Sequence, residues 1–391
     1  MYNLETIIEE NIANALNNLA NEYKKRGANK ISKKIYLEAL QFREELSKVD
    51  EKRHLPYIAE ILNSLALIYK EENQYDLAIK FYRKSILIRR DLFNHNPKKY
   101  IYILATSYTD MANLYRRAYK YAQAEYYYNK ALKIYKNLPQ DELEMAQIKV
   151  LNIYNYLSII CQEEGNFHKT RDAYIGALVI YKRLTNSGTA EASRYKAELA
   201  TLLYDFGTLY LNNNRQNKAG EVFLLALEII LDLYSKEPNV YKESLAMTFH
   251  SLANIYTLQH EYHKASISYK KALKHYIALS EKNPSKYSEY VATIFSDLAS
   301  FYMQQRKTEL AKSFHLGLVK LYNELNQYNE NRYGLKLASA IIDGVRYYDQ
   351  HTLSLYQAES ILQKHTKEKR AKTLLDRIYS LRQEKNSLTS F

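Results

Sequence analysis

At 391 residues the chain is too long for one ordinary compact domain, and its 9 Gly and 5 Pro supply too little turn chemistry for a many-stranded β protein or a doubly wound α/β fold. Hydrophobic content of 47% and charged content of 25% exclude disorder, while Cys161, the single cysteine, excludes an intramolecular disulfide and a cysteine-rich zinc site. The balance of 56 Lys+Arg against 43 Asp+Glu, or +13, raises nucleic acid or an anionic membrane as partners, but the excess is spread thinly and only Lys364 to Lys372 approaches a basic cluster.

The predicted elements come as paired helices. A first pair over about residues 8–52 carries Leu19-Ala20 and Tyr23, and the second, about 53–97, carries Leu65-Ala66, Tyr69, Ala78 and Tyr82. Met111-Ala112, Tyr115, Ala124 and Tyr128 repeat the pattern over 98–143, and Leu157-Ser158 with Cys161 is a weaker copy over 144–189. Phe206-Gly207 and Tyr210 (190–238), Leu252-Ala253 and Tyr256 (239–284), and Leu298-Ala299 and Tyr302 (285–330) follow. Gly344-Val345 and Tyr348 mark an eighth unit, 331–365, and residues 366–391 read as a capping helix, near Lys367 to Lys385, with a tail. The small residue of each unit, or its equivalent, falls at 20, 66, 112, 158, 207, 253, 299 and 345, a period of 46 broken once by 49, where Thr185 to Ala190 lengthens a connection.

Within a unit, Leu65, Ala66 and Tyr69 share one face of helix A, and Ala78, Tyr82 and Ile86 share one face of helix B. The small residues let the helices approach, and tyrosines fill the space beside them, so packing accounts for most of the 40 tyrosines. Pro56, Pro97, Pro139, Pro238 and Pro284 all fall between units. Because proline opens a helix well and interrupts one badly, each is expected to mark a helix start. Such a hairpin cannot bury both faces alone, so neighbours must stack.

Small residue, aromatic three later, Ala twelve later, aromatic sixteen later, then Ala-Leu (Ala131-Leu132, Ala177-Leu178, Ala226-Leu227, Ala272-Leu273) resembles the tetratricopeptide repeat family over about residues 8–365. The resemblance implies an all-α, right-handed superhelical solenoid of about eight hairpins with a C-terminal capping helix, a single domain over 1–391 whose concave groove binds a protein or peptide. The common repeat has 34 residues and a proline closing helix B. Here the proline is missing, so helix B is expected to run on for several turns, as in lengthened units of the kinesin light chain type.

Catalytic chemistry is not in view. There is no Gly-rich phosphate loop, no Gly-x-Ser-x-Gly and no His-Glu-x-x-His. His260 and His263 lack an evident third ligand, and Cys161 stands where helix A otherwise has its aromatic, so a packing thiol is expected. The chain reads as a non-enzyme with no cofactor and no metal. Met1 to Glu10 carry three glutamates and no apolar run, so a cytoplasmic protein without a signal peptide is expected.

The resemblance places the concave surface at helix A positions six and three before the small residue, and one and four after it. Three before come Asn17, Asn63 and Asn155, and one after come Asn21, Asn113 and Asn254. Asparagine is a poor helix former, and its amide can both donate to and accept from the main chain of an extended peptide. Four after come Lys24, Lys70 and Arg116, with Arg117 beside the last, before the row turns neutral at Gln162, Leu211, Thr257 and Met303. These cations could grip acidic side chains or a terminal carboxylate. Structural roles compete: amides can link neighbouring helices, and a cation in a last turn complements the helix dipole. The expected function is an adaptor or scaffold for a protein or an extended, acidic peptide. Alternatives are a peptide-sensing regulator whose superhelix changes pitch on binding and a nucleic-acid binder acting through its basic surface.

Overall fold

A computed structural model describes residues 4–186, 191–348 and 354–388, with side chains described to residue 384. Among the described residues there are seventeen helices and no strand. In the first of two compact units, Met1–Asn186, the hairpins are α1 (Leu4–Lys25) with α2 (Asn29–Ser47), α3 (Glu51–Glu71) with α4 (Tyr75–His95), α5 (Pro97–Arg117) with α6 (Tyr121–Tyr135), and α7 (Gln140–Glu163) with α8 (Phe167–Thr185). In the second, Ser187–Phe391, they are α9 (Ala192–Asn212) with α10 (Gln216–Lys236), α11 (Pro238–Leu258) with α12 (Tyr262–Ser280), α13 (Pro284–Gln304) with α14 (Thr308–Tyr328), and α15 (Glu330–Tyr347) with α16 (Leu355–Lys364). The capping helix is α17 (Lys369–Leu388). Of the lengthened connection, residues 187–190 lie outside the described residues, as do 349–353 of the eighth unit.

Helix starts follow local chemistry. Side chains of Asp50, Asn96, Asn166, Asn283 and Asn329 each accept from the backbone N–H three residues on, satisfying a donor that the first turn leaves unpaired. Pro97, Pro238 and Pro284 open α5, α11 and α13, and Pro139 is the N-cap of α7. Pro56 departs from the expected rule. It lies inside α3, because the Asp50 cap sets the start of that helix earlier. Pro139 also shifts a boundary: α6 has only 15 residues and α7 has 24, so the first helix of the fourth hairpin gains part of what its predecessor lost. The expected extension of helix B is present, with α4, α10 and α14 each 21 residues long.

The turn inside a hairpin has one solution. Seven residues after each of the first seven small-residue markers the backbone enters the left-handed region: Gly27, Asn73, Tyr119, Gly165, Asn214, His260 and Arg306, with φ between 56° and 74°. In the second hairpin the N–H of Asn73 bonds the carbonyl of Lys70, and that of Gln74 bonds the carbonyl of Tyr69, so the last carbonyls of α3 are satisfied by a Schellman closure.

The core lies where helices A and B meet. Ala20, Ala66, Ala112, Ala253 and Ala299 are fully buried, as are Tyr36, Tyr82, Tyr128 and Phe223 from the facing helices. Gly207 takes the small position in α9 because Phe223 fills its place: a Cβ there would lie 2.8 Å from the ring. Ser32 stands where other hairpins have Ala, and its hydroxyl donates to the carbonyl of Ala20 at 2.8 Å, so the exchange leaves no orphan. Cys161 is buried, and burial, with Glu125 adding and Lys169 opposing, pushes its thiol up to about 11, leaving it protonated at neutral pH. No described helix is long and apolar enough to cross a membrane.

Candidate functional site

The asparagines one after the marker are tied to the tyrosines of the partner helix. Tyr36 donates its hydroxyl to Oδ1 of Asn21 at 2.5 Å, Tyr128 to Asn113 at 2.6 Å, and Tyr269 to Asn254 at 2.5 Å. Each pair closes helix B onto helix A within one hairpin and satisfies a phenol that the core has stripped of water. Burial pushes the Tyr269 hydroxyl up to about 12. In the fifth hairpin both members change, to Thr208 and Phe223, whereas in the second only the asparagine changes, with Leu67 in its place and Tyr82 kept. The recurrence of asparagine on this row therefore has a structural cause. What remains for a ligand is the amide nitrogen.

The row three before the marker is less uniform. Asn63 accepts from the Arg89 guanidinium at 3.2 Å, and the same nitrogen reaches Ser107 at 2.5 Å. Asn155 donates to the Tyr181 hydroxyl at 3.5 Å, while its own oxygen is buried without a partner. Oδ1 of Asn17 and Nε of Arg116 are orphaned in the same way. Three of the eight orphaned buried side-chain atoms among the described residues thus belong to this predicted strip. Native proteins leave few such groups, and each calls for a water, an ion or a ligand.

The cations are only partly gathered. Lys24 and Lys70 are half-buried. Burial lowers the Lys24 ammonium, with Glu71 opposing and Lys70 adding to the shift. Arg116 packs its guanidinium 4.1 Å from the centre of the Tyr156 ring, which in turn stacks on Tyr128. Arg117, about 100° further round α5, is exposed and lies off the strip. Two cations that sequence reasoning did not select join the face. Arg89 reaches it from α4, and Lys149 lies over Tyr102 at 4.7 Å and donates to Thr106 at 3.3 Å.

Sequence reasoning also missed an acidic row two before the marker: Asp110, Asp205, Asp297 and Asp343. Burial raises the Asp110 carboxyl, and Lys70, Lys149 and Arg89 pull it back down, so the cationic strip of the first unit holds an internal counter-ion. In the second unit His250 Nε2 lies 2.6 Å from Asp297, and Arg377 donates to Asp343 at 2.6 Å. The signal was visible as a 46-residue recurrence, but the partners come from other helices and carry no period.

Two tetratricopeptide repeat family models match the sequence, one over residues 12–51 and one over residues 57–137. No curated protein sequence matches it. Among solved structures, the chain is similar to BtubC (BKLC) from P. vanneervenii, at 22% identity over 65% of this chain and 92% of that one, with a TM-score of 0.39. It is similar to the apo form of RapI at 15% identity, over 96% and 98%, with a TM-score of 0.47. It is also similar to YrrB, described as a TPR protein with an unusual peptide-binding site, at 15% identity over 62% and 93%, with a TM-score of 0.35.

Proposed function

We propose that this chain, which belongs to the tetratricopeptide repeat family, is an adaptor or scaffold that holds a partner protein or an extended peptide along the A helices of its first unit. The reading is carried by the orphaned polar atoms of Asn17, Asn155 and Arg116, which fall on one predicted strip at the repeat period. A main chain laid across that strip would supply their missing hydrogen bonds. The desolvated Lys24 beside Lys70 places two cations at one end of the strip, with Glu71 offsetting part of that charge, which favours an acidic segment there. Asp110 limits that preference to the part of the strip it does not neutralise.

Retention of a partner on the wild-type protein, compared with Lys24→Glu plus Lys70→Glu, tests this reading. The double variant should bind at least about tenfold more weakly at low salt, and the difference should shrink as salt screens the charges. Both lysines lie outside the core, so the melting temperature should move little. Equal affinity of the two proteins at low salt would move the partner to another face.

A further inference from the structure

We propose that a cavity in the second unit, between α9, α10 and α11, is a socket for one cationic side chain, lysine or arginine, of a bound segment, with Asp205 as its counter-ion. This rests on the reading of the chain as a protein-binding module. It adds a charge preference of opposite sign to that of the first unit.

The cavity measures about 240 Å3, and its apolar wall includes Ala200, Ile230, Leu233 and Met247. Small-molecule pockets run from about 300 to 1,000 Å3. This one holds roughly eight waters at about 30 Å3 each, the scale of one long side chain and not of a whole ligand. Lysine and arginine suit such a shape, since their aliphatic stems pack on apolar surface while the charged head seeks a partner.

Asp205 supplies that partner. Its three counterparts in the repeat all meet cations or a histidine: Asp110 faces Lys70, Lys149 and Arg89, Asp297 takes His250, and Asp343 takes Arg377. Asp205 has no ion pair or hydrogen bond among the described residues, although it lines the same cavity wall. It is open to solvent at the mouth, yet hemmed in by protein, and burial alone raises its carboxyl above the ordinary aspartate value. Three of the hydroxyls lining the cavity are spent: Tyr204 on Ser251 at 3.0 Å, Thr201 on the Ala197 carbonyl at 3.1 Å, and Thr248 on the Ser244 carbonyl at 2.8 Å. The carboxylate is therefore the one charged group of the cavity still to be matched. A neutral or acidic side chain would leave it desolvated and unpaired.

The full chain can be offered immobilised nonapeptide libraries with random flanks and a central Lys, Arg, Gln or Glu. Wild-type protein should retain the Lys and Arg libraries over Gln and Glu. Asp205→Asn keeps the shape and removes the charge, and should weaken binding of individually resynthesised Lys peptides by about tenfold or more. Binding of their Gln versions should not change. Thr201→Lys puts a cation one helical turn from Asp205 and should abolish the Lys preference by filling the socket from within. A Lys preference that survives both substitutions, in variants with wild-type circular dichroism, overturns the socket while leaving the protein-binding reading intact. If wild-type protein retains none of the libraries, both fall.

Discussion

The hydroxyl of Tyr128 donates to Oδ1 of Asn113 at 2.6 Å and so latches the two helices of the third hairpin. In the second hairpin Leu67 stands in the asparagine position, and the Tyr82 hydroxyl is buried with no partner. The same substitution should therefore act oppositely at the two sites. Tyr128→Phe strands the Asn113 amide oxygen and should cost about 1 kcal/mol, whereas Tyr82→Phe removes an unsatisfied hydroxyl and should be neutral or stabilising. Urea denaturation midpoints of the two variants against wild type check this, and an equal loss in both would show that the latch contributes nothing.

This latch also shows how far the sequence could be read. The framework was legible because Ala, Tyr and Ala-Leu recur every 46 residues and each recurrence reports the same contact. Asn21, Asn113 and Asn254 were legible as a row, but their main use was hidden, because it lies in a phenol on the following helix. The left-handed turns were only partly visible: Gly27, Gly165, Asn73 and Asn214 carry residues that such a turn favours, and Tyr119, His260 and Arg306 do not. Asp205 was readable as one of four aspartates, yet its lack of a partner depends on where His250 and Arg377 happen to reach.

Those turns yield a second prediction. A side chain in the left-handed region crowds the following carbonyl at a cost of about 1–2 kcal/mol, which glycine avoids. Arg306 and Tyr119, at φ 60° and 56°, are exposed and lie at the same turn position as Gly27. Arg306→Gly and Tyr119→Gly should each stabilise the chain by up to about 1 kcal/mol, after the extra unfolded-state entropy of glycine is set against the relief. Gly165→Ala should lose about as much. Thermal melting of the three variants decides the matter, and a loss with Arg306→Gly would mean that the turn carries no strain.

Gly207 and Phe223 should be energetically coupled. A Cβ on Gly207 would lie within 3.0 Å of three ring atoms of Phe223, so Gly207→Ala forces a buried ring to move and should cost about 1–3 kcal/mol. Phe223→Leu leaves a void of its own and should also destabilise. Together the two should cost clearly less than the sum of the singles, because the methyl enters space the ring has left. Additive losses in a double-mutant cycle would show that the ring does not set the choice of glycine.

The last prediction concerns acid and the junction of the first two hairpins. Arg43 and His54 are both buried, and Nη1 of Arg43 lies 3.0 Å from Nδ1 of His54. A guanidinium can only donate, so Nδ1 is the acceptor and the ring proton sits on Nε2. Oδ1 of Asn14 takes the other arm of the guanidinium, and the Tyr57 ring lies against it at 4.1 Å. Protonating Nδ1 would break the bond and set two cations side by side. Burial lowers the His54 value below the ordinary 6.5, and Arg43 and Arg53 add to the shift, while Glu10 and Asp50 oppose it. A histidine whose folded value is depressed leaves stability intact above about pH 6.5. That stability is lost progressively as pH falls, because the unfolded chain then binds the proton more readily. His275 shifts in the same direction, through burial and the nearby Lys242, Lys274 and Lys271. The informative quantity is thus the difference between wild type and His54→Asn, which keeps an acceptor for Arg43 but cannot titrate. Between pH 7 and pH 5 the wild-type denaturation midpoint should fall more steeply than that of His54→Asn. Parallel pH profiles would remove His54 from the acid response and leave Arg43 as a purely structural contact.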